Sequence, residues 1–149
     1  MLIGLDPLLS PDLLHALASM GHGDSIVLVD ANYPATRGRR LISLPGIGID
    51  AALRAVLSVL PLDSFVPNPA LVMEMVGDPA ALPPAMADIN AALAAHGAQP
   101  AATLERHAFY AVAEQAYATI HTGERRFYGN VVLTKGVIGP ERIESERAA

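Results

Sequence analysis

Residue 22 is a histidine set between two glycines, Gly21-His22-Gly23-Asp24. Glycine lacks a Cβ, so the backbone on either side can come close to a ligand. An imidazole, with an ordinary pKa of about 6.5, can give and take a proton near neutral pH. Asp24 adds a carboxylate two residues on. The plainer alternative is a polar loop histidine with no special task. Tyr128-Gly129-Asn130 offers a phenol and a carboxamide separated by one flexible residue, a pair able to hydrogen-bond a polyhydroxylated ligand. The same three residues also suit a tight turn in which Asn and Gly supply unusual dihedrals. Arg106-His107-Ala108-Phe109-Tyr110 brings a guanidinium fork to the start of a predicted helix, where Tyr110 can equally be a half-buried structural ring.

Other candidates carry plainer readings. Gly46-Ile47-Gly48-Ile49-Asp50-Ala51 satisfies G-x-G-x-x-A between a predicted strand and helix, but it lacks the acidic strand-end residue about 20 positions on that a dinucleotide turn requires. A plain turn ending at an Asp50 cap is preferred. Arg37-Gly38-Arg39-Arg40, with Asn32 and Tyr33 nearby, can hold a phosphate or sulfate, serve a subunit contact, or be solvated loop arginines. His15, His96 and His121 read as surface or cap residues, and no H-x-x-x-H or HExxH spacing exists, so no metal is expected.

These groups need a scaffold, and the composition supplies one. The chain has 149 residues, 52% of them hydrophobic and 17% charged, enough for one domain with a large core. No apolar run reaches the roughly 18 residues of a membrane span. Cysteine is absent, which excludes disulfides and thiolate chemistry and fits a reducing cytoplasm. Ten basic against fifteen acidic residues give a net charge of -5, with Lys135 the only lysine, which argues against a nucleic-acid partner. Leu2-Ile3-Gly4-Leu5-Asp6 has no positive n-region, so no signal peptide is expected.

Ser10-Pro11-Asp12 opens a predicted helix with Leu13, Leu14, Leu17 and Met20 in helical spacing, closed by Gly21 in a left-handed conformation. The apolar run over 25–30 predicts a strand covered on both faces, with Asp30 just beyond its carboxyl end. A strand at 40–44 and a helix from an Asp50 cap to Pro61 follow. Next come a loop at 61–69, a strand at 71–76, a helix after Pro83-Pro84 ending at Gly97, and a short strand at 102–104. A helix at 107–117 precedes strands at 118–120 and 130–133 that flank the loop 122–129. The alternation predicts a single α/β domain, a mainly parallel sheet sandwiched by helices, with ligands beyond the carboxyl ends of the strands.

Together these segments resemble the L-fucose mutarotase family, within the group that includes D-ribose pyranase. The resemblance is carried, in order, by Leu9-Ser10-Pro11-Asp12-Leu13-Leu14, Met20-Gly21-His22-Gly23-Asp24, Asp30-Ala31-Asn32-Tyr33-Pro34-Ala35 and Pro61-Leu62-Asp63-Ser64. It continues through Arg106-His107-Ala108-Phe109-Tyr110, Thr122-Gly123-Glu124, Tyr128-Gly129-Asn130 and Lys135-Gly136-Val137. It implies a three-layer α/β/α mutarotase domain over 1–137; beyond Val137 the composition turns to Glu141, Arg142, Glu144, Glu146 and Arg147, a charged tail over 138–149. The resemblance also implies a ring-like decamer with sites near subunit contacts and no cofactor. His22 would be the proton donor; Asp30, Arg106 and Tyr128-Gly129-Asn130 would hold a monosaccharide; Tyr110 would mark the fucose branch. Asp63 and Met73 fall where pocket residues are expected. The chain departs from the family at Ser43-Leu44-Pro45-Gly46, where Arg-Ala-Asp-Gly is usual, and in its long tail.

Anomer exchange opens a cyclic hemiacetal by protonating the ring oxygen and deprotonating the anomeric hydroxyl; the aldehyde turns and the ring recloses. A histidine suits both transfers better than a carboxylate of ordinary pKa about 4. Asp24 or Asp30 can orient the His22 ring, and Tyr110, Asp30 and water are candidates for the second proton. The runner-up readings are a non-catalytic sugar-binding module, a D-ribose pyranase, and a nucleotide-dependent enzyme built on Gly46 to Ala51.

Overall fold

The computed structural model describes residues 2–35 and 39–140. Among the described residues ten elements follow one another. They are α1 (Pro11–Ser19), β1 (Ser25–Val29), β2 (Leu41–Leu44), α2 (Ile49–Leu57), β3 (Ala70–Met73), α3 (Met86–Ala95), β4 (Ala102–Leu104), α4 (Arg106–Gln115), β5 (Ala118–Thr122) and β6 (Val131–Thr134). The six strands form one sheet in the order β2-β5-β1-β6-β3-β4. Pairing is parallel for β1 with β5, β2 with β5 and β3 with β4, while β6 runs antiparallel to both β1 and β3. Five strands therefore share a direction, and the amino end of β6 lies at the same sheet edge as the carboxyl ends of the others.

Alternation of side chains across the pleat divides the core in two. Ile26 and Leu28 of β1 pack with Leu13 and Leu17 of α1, Leu53 and Val56 of α2, and Ile89 and Leu93 of α3. Val27 and Val29 face the other way, onto Phe109, Ala113 and Ala116 at α4. The expected α/β/α sandwich is present with unequal layers, three helices on one face and one on the other. Among the described residues no helix is long and apolar enough to cross a membrane.

Three local expectations need correction. Helix α1 begins as read, with Ser10 Oγ accepting from Leu13 N–H at 3.3 Å, but it ends in an extended Met20. Lys135 fills its last carbonyls, its Nζ donating to Leu17 O at 2.7 Å and Met20 O at 2.6 Å, and Gly23 rather than Gly21 takes a positive φ, of 83°. Helix α2 is capped by Gly48; Asp50 lies inside the first turn and pairs with Arg54 at 2.8 Å. Strand β3 stops at Met73, three residues before the predicted end, and the chain turns at Gly77 (φ 83°). The tail expected over 138–149 falls mostly on 141–149, outside the described residues.

Candidate functional site

The carboxyl edge of the sheet gathers most of the chemistry foreseen in the sequence. Asp30 follows β1, Met73 ends β3, Arg106 opens α4 just after β4, and Tyr128 and Asn130 precede the reversed strand β6. With Asn32, Tyr33, Tyr110 and Phe127 they line a cleft of about 260 Å³. Ligands gather beyond strand carboxyl ends in such sheets because successive loops diverge there.

Each side chain is held in a definite way. Asn130, buried, accepts through Oδ1 from the Asp30 backbone N–H at 2.8 Å, which leaves its NH₂ end to donate. Asp30, also buried, takes the Asn32 N–H on Oδ1 at 2.9 Å and keeps Oδ2 as an acceptor. The Tyr128 hydroxyl accepts from Val76 N–H at 3.2 Å and still carries a proton to give. The Tyr110 ring lies 5.5 Å from that of Tyr33. Arg106 has no hydrogen-bond or ion-pair partner among the described residues, so its fork is available at the cleft. Gly129 has no room for a side chain: a Cβ there would stand 2.7 Å from Glu124 Cγ. The site is thus rich in donors and acceptors fixed on backbone, with aromatic rings beside them, the make-up that binds a small polyhydroxylated molecule.

His22 is elsewhere. It precedes β1, whereas Asp30 follows it. From Ser25 to Asp30 the strand advances five steps of about 3.3 Å, so at least about 16 Å separates the His22 corner from the cleft. Neither Asp24 nor Asp30 orients its ring. Asp24 Oδ2 accepts from Gly21 N–H at 2.7 Å, closing the loop locally. The partner is Asp63, whose Oδ1 lies 3.2 Å from His22 Nε2. The side chain of Asp63 is 3% exposed and that of His22 46%. Donation from the Phe65 N–H at 2.9 Å and the contact with His22 hold the Asp63 carboxyl below its ordinary pKa. An ionised carboxylate on Nε2 keeps the proton there, which leaves Nδ1 of the neutral ring as the base. Phe65 flanks the imidazole at 5.5 Å. Lys135 seats the loop: Gly23 N–H donates to its carbonyl at 2.9 Å and its own N–H to Asp24 O at 2.8 Å. Sequence reasoning gave Asp63 to the pocket and Lys135 no task; a 41-residue separation hid the first, and a lysine that caps a distant helix leaves no local pattern.

The remaining candidates resolve plainly. The G-x-G-x-x-A segment is a turn. Ile49 N–H, at the start of α2, donates to Glu124 Oε2 at 3.3 Å, so the helix terminus that would receive a phosphate already faces a carboxylate. Gly123 presses on that turn, where a Cβ would come within 2.5 Å of Gly46 N. Arg39 turns to Gln115 (3.0 Å) and Arg40 to His15 (3.0 Å), so these two diverge; Arg37 and Gly38 lie outside the described residues. His96 Nδ1 contacts Ala92 O at 2.9 Å in the last turn of α3. Among the described residues no cluster of His, Cys, Asp and Glu could hold a metal ion.

A three-layer α/β domain with a polar, ring-lined cleft at its carboxyl edge has the make-up of a protein that binds a small polar molecule. The chain belongs to the family described as RbsD / FucU transport protein, whose profile matches residues 3–138. The fucose mutarotase of Bos taurus is 43% identical over 147 residues, covering 94% of this chain and 96% of its own. The L-fucose mutarotase of Haemophilus influenzae (strain PittGG) is 45% identical over 142 residues, covering 92% and 97%. The crystal structure of the fucose mutarotase from Streptococcus pneumoniae, in complex with L-fucose, matches with a TM-score of 0.86 at 37% identity over 93% of this chain and 100% of that one.

Proposed function

We propose that this protein is a mutarotase, an isomerase that interconverts the α and β anomers of L-fucose or a closely related free aldose by acid-base ring opening. The observation that carries the reading is the cleft itself: Asp30, Arg106, Tyr110, Tyr128 and Asn130 converge there, Gly129 lets the backbone close up beneath them, and relatives at 40–45% identity are named fucose mutarotases. Asp30 Oδ2 accepts from a sugar hydroxyl, and Arg106 and the Asn130 NH₂ donate to others. His22 exchanges protons with the hemiacetal: it takes one from the anomeric hydroxyl while Tyr110 or a water gives one to the ring oxygen, and both transfers reverse when the ring recloses. The cycle leaves no net proton and needs no redox partner.

Because His22 and the cleft lie at opposite ends of β1, one chain cannot apply both to a single sugar. A second copy supplies the missing half, the His22 corner of one chain seating against the cleft of the next. Such a head-to-tail contact generates a ring when its rotation closes, and the family resemblance implies a decamer. Exposed apolar side chains flank both halves, Phe65 and Val66 beside His22 and Phe127 and Val76 beside the cleft, as a buried contact requires. The reading includes action in the cytoplasm, which the cysteine-free sequence fits.

Saturation-transfer NMR of free L-fucose tests it. The wild type accelerates anomer exchange, and His22→Asn loses about 10²–10⁴-fold, the usual worth of an acid-base group. A non-catalytic sugar-binding module would shift sugar resonances in both proteins and accelerate exchange in neither; a ribose pyranase would act on D-ribose and leave L-fucose untouched.

A further inference from the structure

Glu124 is buried, 6% exposed, and its carboxylate is saturated with donors. Oε1 accepts from the backbone N–H of Arg125 (3.0 Å) and Arg126 (2.9 Å) and from Arg126 Nε (3.0 Å). Oε2 accepts from Arg126 Nη2 at 2.9 Å as well as from α2. Arg126 then reaches across to α3, Nη1 to Asp88 Oδ2 at 2.7 Å. The pairing holds the Glu124 carboxyl down to about 2 and pushes the Arg126 guanidinium further up, so both stay charged across any working pH.

This cluster lies directly beneath the cleft. Tyr128 has φ 61°, the left-handed region that a residue with a Cβ adopts only where its surroundings enforce it. Two residues upstream, Arg126 is pinned by both ends of its guanidinium and by its backbone N–H. One residue downstream, Gly129 packs on Glu124 Cγ. On the other side, the Glu124 carbonyl accepts from Ala31 N–H at 2.8 Å, next to Asp30. Glu124 therefore touches the backbone supports of Asp30 and of Tyr128 to Asn130 together.

We propose that Glu124, clamped through Arg126 to Asp88, is the positioning residue of the sugar cleft, setting Tyr128-Gly129-Asn130 against Asp30 without touching the sugar. The inference rests on the sugar reading of the cleft. A bare structural role, capping α2, predicts a different signature: a smaller folded fraction lowers apparent kcat and leaves KM alone. Loss of positioning weakens ground-state sugar contacts and raises KM.

The experiment measures L-fucose exchange against sugar concentration for the full chain, with folded fraction from circular dichroism. Glu124→Gln, which keeps shape but not charge, raises KM about tenfold, the worth of one charge-assisted hydrogen bond. Arg126→Met does the same, Arg126→Lys less, and Asp88→Asn least. If Glu124→Gln fails to fold, Arg126→Met decides. Asn130→Ala separates the two layers of argument. KM raised by Asn130→Ala but unmoved by Glu124→Gln and Arg126→Met overturns the positioning role. KM unmoved by Asn130→Ala as well overturns the sugar reading of the cleft.

Discussion

Gly129→Ala adds one methyl at the tightest point under the cleft. Its carbon would stand 2.7 Å from Glu124 Cγ and 3.3 Å from Arg126 O. Carbon pairs rest at about 3.5–4.0 Å, so about 1 Å must be found. Glu124 cannot yield it by swinging aside, because its carboxylate is tied to three backbone N–H groups and to Arg126. Overpacking of this kind costs about 1–3 kcal/mol, or roughly 2–10 °C in melting temperature for a chain of this size. The displaced segment carries Tyr128 and Asn130, so KM for L-fucose rises in parallel. The assay is a double-mutant cycle read by thermal melting. In a Glu124→Ala background the clashing Cγ is gone, and adding Gly129→Ala costs only a few tenths of a kcal/mol. An equal penalty in both backgrounds would refute the reasoning, since the clash would then lie with something other than Glu124.

Two further outcomes follow from the ionised groups. A carboxyl lowered from 4.5 unfolded to about 2 folded contributes stability that is complete above about pH 4.5 and lost as pH falls towards 2. The gap in melting temperature between wild type and Glu124→Gln is therefore widest at neutral pH and narrows through that window; a gap constant from pH 6 to 3 contradicts the assignment. Asp63→Asn keeps an oxygen for the Phe65 N–H but removes the charge facing the imidazolium, so kcat for exchange falls about tenfold with KM unchanged, measured by saturation-transfer NMR.

What the sequence disclosed divides along local and distant interactions. The continuous apolar run before Asp30 announced a central strand because both of its faces are covered, by Leu53 and Ile89 on one side and Phe109 on the other. Ser10-Pro11 marked a helix start because capping is settled within three residues. The start of α2 was misassigned to Asp50 because what meets its first amides is Glu124, 75 residues away. The cleft as a set rested on the family resemblance: Asp30 at a strand's carboxyl end was legible, but Asn130 opens a strand, and it reaches the same edge because β6 runs against β1 and β3, a reversal that no local pattern announces. The orienting partner of His22 was not legible, because Asp63 is brought in by a loop pinned to Thr134, Asp63 N–H donating to Thr134 O at 3.0 Å, a pairing with no periodic signature. That His22 and Asp30, eight residues apart, stand at opposite ends of β1 was by contrast already implied by the strand predicted between them.

If the mutarotase site is built from the His22 corner of one chain and the cleft of another, two variants that each lack one half restore activity to one another when their chains are mixed. His22→Asn and Asn130→Ala are each prepared alone, then unfolded and refolded together in equal amounts, and L-fucose anomer exchange is measured by saturation-transfer NMR. Each chain carries one intact half, so in a randomly mixed assembly about a quarter of the sites pair an intact histidine with an intact cleft. Exchange recovering to about that fraction of wild type is the predicted result. A mixture no more active than the two variants measured separately would contradict it.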